Sequence, residues 1–482
     1  MLFQQIYYAF VMTMMFFSKH IFTMRDPENY YYHNQALSNY IFLIILNIIL
    51  FLLIITTMKL AERYLNKYYD KILFIIFFLS LYNFLDYIRD IIFRPLPDMS
   101  FNGRIAYLVI FTLYIPMLII MPLIFKKLNY EKIHKSAISL FTLIAILAVY
   151  YIIPKEFSVT HIDKELKPGK RNNIHLILFD GVAYVPIYNG DKISEEFPNI
   201  AELAKNSCVF YNGYSPGTQT FTSMGRLTTG INYKYFKAHY CGLYGKMNDN
   251  DEWNKVDVSK SLFKVSKDYG YNNVLLGEYH QYGTLFEKYL DYARVYSVDS
   301  KYNYMLGKLI NYLFLRGDIY ARDTFYALFK GYIEKANENK SNTLFFTHFN
   351  TPHVPYIFNK NGFKNEYHKM LLKGTTYKEE ERYLDQLRYV DVKVGEIIKT
   401  LKENGSYEDS LIILTTDHPW PWIYRKESER IPFIIKKPNQ KKGLKIYNKS
   451  YTFNSNKMLK KYYKTNKIDL NILSEYPGEF VK

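Results

Sequence analysis

The sequence predicts two structural classes in one chain: an N-terminal transmembrane α-helical bundle, then an α/β domain on a mainly parallel central sheet. Three observations carry this. Apolar runs long enough to cross a bilayer crowd the residues up to Ile153. From Asn173 onward, short apolar strands alternate with amphipathic helical segments. Two of those strands end in carboxylates, Asp180 and Asp417, where parallel α/β sheets hold ligands.

A length of 482 residues exceeds one ordinary domain. Hydrophobic residues make up 49% of the chain, and their uneven distribution is what separates its two parts. The net charge of +17 raises nucleic acid as a partner. Lys and Arg are spread along the chain, however, with no arginine-rich arm and no nucleic-acid motif. Anionic lipid headgroups or acidic glycans suit such a chain better, and a coding bias toward Lys, Asn, Ile and Tyr explains the excess equally well. The two cysteines, Cys208 and Cys241, exclude a zinc ribbon or a redox pair. They leave open one disulfide or two buried thiols.

A membrane-spanning helix needs about 20 mostly apolar residues. Leu37–Met58, Ile72–Leu85 with its flanks, Ile105–Phe125 and Ser136–Ile153 meet that need, and Leu2–Phe17 is a fifth candidate. Leu2–Phe17 lacks a small-residue cleavage site, so it reads as a helix and not as a cleaved leader. Asp86, Arg89 and Asp90 follow the second of these runs at helical spacing, as at a helix end in the interface. Lys59, Arg63, Lys67 and Lys71 mark one loop as cytoplasmic; Lys126, Lys127, Lys132 and Lys135 mark another. With both inside, everything after Ile153 lies outside, whether four or five spans precede it. Residues 1–153 thus read as the bundle, 154–172 as a polar linker carrying Pro154, Pro168 and Gly169, and 173–482 as an extracytoplasmic domain.

Within that domain, Asn173–Phe179, Asn273–Leu276, Leu344–Phe349 and Leu411–Thr415 read as strands. Ser261–Tyr269 reads as a helix. Tyr383–Leu401 places Leu384, Leu387, Val394, Ile397, Ile398 and Leu401 on one helical face, and Gly405 stops it. Residues 303–336 form one or two amphipathic helices that cover the sheet or rest on a membrane.

Asp417-His418 directly after a buried strand suits a divalent ion, with Asp180 as a third ligand. Each residue alone reads equally well as a helix cap. Ser215–Gly230 (SPGTQTFTSMGRLTTG) adds a hydroxyl-rich turn into a helix. A Thr or Ser hydroxyl there, close to a cation, becomes a nucleophile, and the helix N-terminus favours a phosphoryl group.

These residues resemble the sulfatase-like branch of the alkaline phosphatase superfamily over most of residues 173–440. In that branch a nucleophile is followed at the third, seventh, ninth and tenth positions by Ser, Leu, Thr and Gly. Here Thr220 is followed by Ser223, Leu227, Thr229 and Gly230. Asp180-Gly181 resembles the first metal-ligand strand end, Thr415–His418 the second, and Arg430–Pro438 the strand after it. Pro352–Tyr356 (PHVPY) resembles the segment that brings a His to the substrate phosphate or a second metal. With the predicted bundle, the whole resembles lipid A phosphoethanolamine transferases and lipoteichoic acid synthases.

The resemblance implies a divalent ion, zinc first and manganese as the alternative, held by Asp180, Thr220, Asp417 and His418. It implies a catalytic Thr220 that takes a substituted phosphate from a phospholipid donor and passes it to a cell-surface glycan or glycolipid. His353 is the implied proton donor or phosphate contact. His348, His280 and Lys426 are candidate substrate contacts, weighed against structural roles for the two histidines and a solvated surface role for the lysine. The implied location is a bacterial inner membrane, with several spans and the α/β domain facing the periplasm or exterior.

Thr222 and Met224 stand where sulfatases carry Pro and Arg, and Thr cannot become formylglycine. Asp180 stands where phosphoethanolamine transferases typically carry Glu. The rival expectations are a membrane-tethered hydrolase with water as acceptor, and a non-catalytic glycan- or lipid-binding scaffold.

Overall fold

The computed structural model describes residues 2–25, 37–77, 79–81, short stretches within 138–149, and 161–239. It further describes 242–296, 317–338, 342–364, 379–420 and 429–476, apart from Asp249, Tyr279 and Gln281. The chain divides into two compact units, Met1–Glu156 and Phe157–Lys482.

In the first unit, α1 spans Leu2–Arg25 and α2 spans Leu37–Tyr64. The two helices meet where Gln5 Nε2 donates to Glu62 Oε2 at 2.7 Å. Within α2, Ile44–Tyr64 has a mean hydropathy of 2.4 and is the one described helix long and apolar enough to cross a membrane. Ile48, Ile49, Leu52 and Leu53 on it are exposed, an arrangement suited to lipid and costly in water. The Ile105–Phe125 run and the basic loop after it lie outside the described residues, as do parts of the Ile72–Leu85 and Ser136–Ile153 runs, so the expected bundle of four or five spans rests on the sequence beyond α2.

The second unit is a nine-stranded sheet with helices on both faces. In chain order its strands are β1 His161–Asp163, β2 Ile174–Phe179, β3 Cys208–Phe210, β4 Asn272–Glu278 and β5 Tyr292–Tyr296. They continue as β6 Thr343–Phe349, β7 Leu411–Thr415, β8 Phe433–Lys436 and β9 Leu444–Ile446. The spatial order is β1-β5-β4-β6-β2-β7-β8-β3-β9. The run β5-β4-β6-β2-β7 is parallel throughout, while β8 lies antiparallel to both its neighbours and β1 antiparallel to β5. β1 corrects one expectation: it falls inside the segment expected to be linker, and it closes the sheet edge.

The central strands are buried on both sides, as parallel strands under two helical layers must be. Alternation sends Ile177, Phe179, Val274, Leu276, Phe345 and Phe349 into one core. That face is covered by α3 Pro198–Ala204, α6 Gly317–Asn337 and α7 Glu379–Glu403. Leu176, Leu178, Leu275, Leu344, Phe346 and Ile413 enter the other core. There the cover is α4 Thr220–Thr229, α5 Leu262–Asp268 and α8 Ser455–Thr465. Phe325, Leu328, Phe329 and Tyr332 of α6 sit in the first core, so the described part of the 303–336 segment covers the sheet.

His175 of β2 is fully buried, stacked on Phe345 at 4.5 Å between ring centroids, with Nδ1 2.9 Å from the Tyr332 hydroxyl. Burial and the Lys436 charge push its pKa down to about 3. Unfolding therefore exposes a group that protonates near pH 6.5, so stability is full above that pH and falls as pH drops toward 3. The double variant His175→Phe with Tyr332→Phe should lose this proton uptake. Chemical denaturation of the wild type and variant between pH 6 and 4 should show a slope shallower by about 1.4 kcal/mol per pH unit in the variant.

Candidate metal centre and nucleophile

Register explains why distant residues meet. Gly277 of β4 lies beside His348 of β6, His348 beside Leu178 of β2, and Leu178 beside Thr415 of β7. The four strands end together, which sets Glu278, His348, Asp180 and Asp417 along one carboxyl edge. The turn after β2 is tight: Asp180 N donates to Phe349 O at 2.8 Å, and Gly181 takes φ +75°. A Cβ at Gly181 would lie 2.9 Å from Cβ of Trp420, so this position needs glycine on both counts.

Asp417 is clamped. Its Oδ1 accepts from His418 N at 2.8 Å, Gly181 N at 3.1 Å and the Thr416 hydroxyl at 3.3 Å. Its Oδ2 has no hydrogen-bond partner, and neither has Asp180 Oδ1 or His348 Nε2. All three atoms are buried, and Asp180, His348 and Asp417 offer ligand atoms within 4.8 Å of one another. His348 Nδ1 meets the Tyr282 hydroxyl at 2.9 Å, which fixes the ring and leaves Nε2 4.0 Å from Asp417 Oδ2. His418 Nδ1 meets Pro419 O at 3.3 Å; its Nε2 lies 3.4 Å from Asp180 Oδ1 and 3.5 Å from Asp417 Oδ2.

Thr220 completes the group. It opens α4, and its Oγ1 lies 3.2 Å from His418 Nε2 and 3.3 Å from Asp180 Oδ2. Both ends of the helix are secured. Gly230 caps its C-terminus at φ +69°. The buried Arg226 guanidinium donates to Pro216 O at 2.6 Å and Tyr233 O at 2.7 and 2.9 Å, holding the loop that leads into Thr220. The four residues expected to form the centre are thus brought together.

The electrostatics of the paired carboxylates suit a cation. Burial and the Asp417 charge push the Asp180 carboxyl well above the ordinary carboxylate range. Burial also opposes ionisation of Asp417, but His418 and His348 outweigh it and hold that carboxyl low. Glu278, buried at the end of β4, is pushed up to about 8 by burial and by Asp180.

The other expected contacts divide. His353 is half-buried, stacked on Trp420 at 5.4 Å, with its ring 6.4 Å from that of His418. Its loop is organised by Gln386 of α7, which donates to Pro352 O and His353 O and accepts from Ile357 N and Phe358 N. His280 packs its ring against Phe221 and Tyr282, and burial lowers its pKa to about 3, as for a neutral packing histidine. His348 takes a place in the ligand cluster in addition to its expected roles. Lys426 and Cys241 lie outside the described residues, and Cys208 is a buried free thiol in β3. Glu278, Gln386 and Tyr282 were not anticipated, since no local motif marks them.

The family model described as Sulfatase matches residues 172–461. The chain belongs to the sulfatase family. That family falls in the alkaline phosphatase superfamily, whose sulfatase-like members depend on metal. Among solved structures, the phosphonate monoester hydrolase of Agrobacterium radiobacter is 15% identical with a TM-score of 0.41, covering 61% of this chain and 74% of its own. Lipoteichoic acid synthase LtaP from Listeria monocytogenes is 14% identical with a TM-score of 0.41, covering 64% and 74%. PsFucS1 sulfatase from Pseudoalteromonas sp. is 16% identical with a TM-score of 0.42, covering 64% and 70%. No curated protein matches. For a sulfatase-family member, the residues present fit a divalent ion: three orphaned buried ligand atoms converge, and each comes from a carboxylate or an imidazole.

Tyr282 reaches that centre through its hydrogen bond to His348 Nδ1. Tyr282→Phe should weaken zinc binding roughly 10–100-fold. Competition against a chromophoric chelator measures it, and an unchanged affinity removes His348 from the ligand set.

Proposed function

We propose that this chain is a membrane-bound, metal-dependent transferase. It moves a substituted phosphate, of phosphoethanolamine or phosphoglycerol type, from a phospholipid headgroup through Thr220 to a hydroxyl of a cell-surface glycan or glycolipid. The observation that carries this is the Thr220 hydroxyl, set at a helix N-terminus within 3.3 Å of both His418 and Asp180. A threonine keeps its hydroxyl as the nucleophile, where conversion to formylglycine needs Cys or Ser.

Asp180, Asp417, His348 and His418 would hold the ion, zinc before manganese. When bound, it neutralises phosphoryl charge and lowers the pKa of a nearby hydroxyl. The first turn of α4 aims its backbone N–H groups at the same phosphoryl oxygens. Thr220 Oγ1 gives up its proton to solvent and attacks phosphorus, the P–O bond to the diacylglycerol breaks, and the leaving oxygen takes up a proton. His353, on a loop held by Gln386 with its ring 6.4 Å from that of His418, would deliver it. An acceptor hydroxyl then attacks the phospho-threonine; the P–Oγ1 bond breaks and Thr220 is reprotonated. The apolar α2, with the other spans the sequence predicts, would keep the chain on a membrane, where phospholipid donors reside.

Thr220→Ala should lower headgroup transfer in membranes on the order of a thousand-fold or more. Intact-protein mass spectrometry after a brief exposure to labelled donor should show an adduct on the wild type and none on the variant. Unchanged transfer by Thr220→Ala removes Thr220 as nucleophile. Label recovered only in water-soluble headgroup, with acceptor glycan present, makes the protein a hydrolase.

A further inference from the structure

Glu278 has no part in the reaction just described. It is 4% exposed, and among the described residues no lysine or arginine forms an ion pair with it. It lines a cavity of about 10 Å³, room for one water-sized group, together with Phe325, Asn350, Thr351, His353 and Phe358. Val274 and Leu276 of the same strand enter the core under α6 and α7, as do Phe325 and Phe358, so the cavity opens on that face of the sheet edge. Thr220 approaches the edge from the α4 side. His353 joins the two, lining the cavity while its ring lies 6.4 Å from that of His418.

The geometry points to this cavity as the subsite for a primary ammonium on the transferred group, with Glu278 as its counter-charge and the determinant of donor specificity. A buried carboxylate in a cavity whose other walls include Phe325 and Phe358 suits a small cation. The cavity's size admits –NH3+ and excludes a trimethylammonium group. A glycerol diol brings no positive charge to offset the buried carboxylate. The donor is then a phosphoethanolamine-type headgroup. This rests on the transferase reading above, so binding and turnover are tested apart.

The binding arm uses the full-length, zinc-loaded protein with O-phosphoethanolamine and sn-glycerol 3-phosphate, titrated by calorimetry. The wild type should prefer the first about tenfold, which is about 1.4 kcal/mol. Glu278→Gln should erase that preference while still binding glycerol 3-phosphate, which also shows that the variant is folded. Equal binding of both probes by the wild type, or a preference surviving in Glu278→Gln, overturns the subsite whatever the turnover. Two zinc ions per wild-type chain against one in Glu278→Gln makes Glu278 a metal ligand and also overturns it. The turnover arm presents vesicles of phosphatidylethanolamine or phosphatidylglycerol and follows diacylglycerol release. Selective binding without release leaves the subsite standing and sinks the transferase reading.

Discussion

Two buried carboxylates face each other across the end of the sheet, and most of the second unit is arranged around that fact. Asp180 and Asp417 cannot both ionise in so dry a place without a positive partner. The protein spends few of its own charges on them. It offers the imidazoles of His348 and His418, and it leaves one oxygen of each carboxylate without a hydrogen-bond partner. The backbone donors on Asp417 Oδ1 fix the direction of Oδ2, and the Gly181 turn fixes Asp180 against β6. Such a centre is unfavourable without a cation and rigid enough to choose one. Binding free energy there is folding free energy.

How much of this was legible in the sequence depends on how local each signal is. Asp180 and Asp417 follow apolar strands directly, so pattern alone placed them at a ligand-binding edge. Thr220 was legible because hydroxyls, small residues and a glycine cap share sixteen consecutive positions. His348 was ambiguous because its role depends on strand order. Nothing within LFFTHF says that β6 lies between β4 and β2. Glu278 was invisible for the same reason, one residue beyond a glycine whose partner lies 71 positions later. β1 was read as linker because His-Ile-Asp carries no strand signature; its pairing with Tyr292, Ala293 and Arg294 makes it a strand. Of the N-terminal runs, α2 was legible from length and hydropathy alone, and the helix continues past Met58 to Tyr64.

The strand order also bears on how the chain is made. β2 is the central strand of the nine, yet it is the second of them to leave the ribosome. Its neighbours are residues 343–349 on one side and 411–415 on the other. Until they arrive, both hydrogen-bonding edges of a strand that is apolar but for His175 stay open on the nascent chain, an invitation to wrong pairing. Glycine, proline and charge are absent from Ile174–Phe179 itself, so Arg171 and Asp180 at its two ends are its gatekeepers. The same long-range pairing that gathers the ligands makes this unit a slow, late-closing folder, dependent on protection through more than two hundred residues of synthesis.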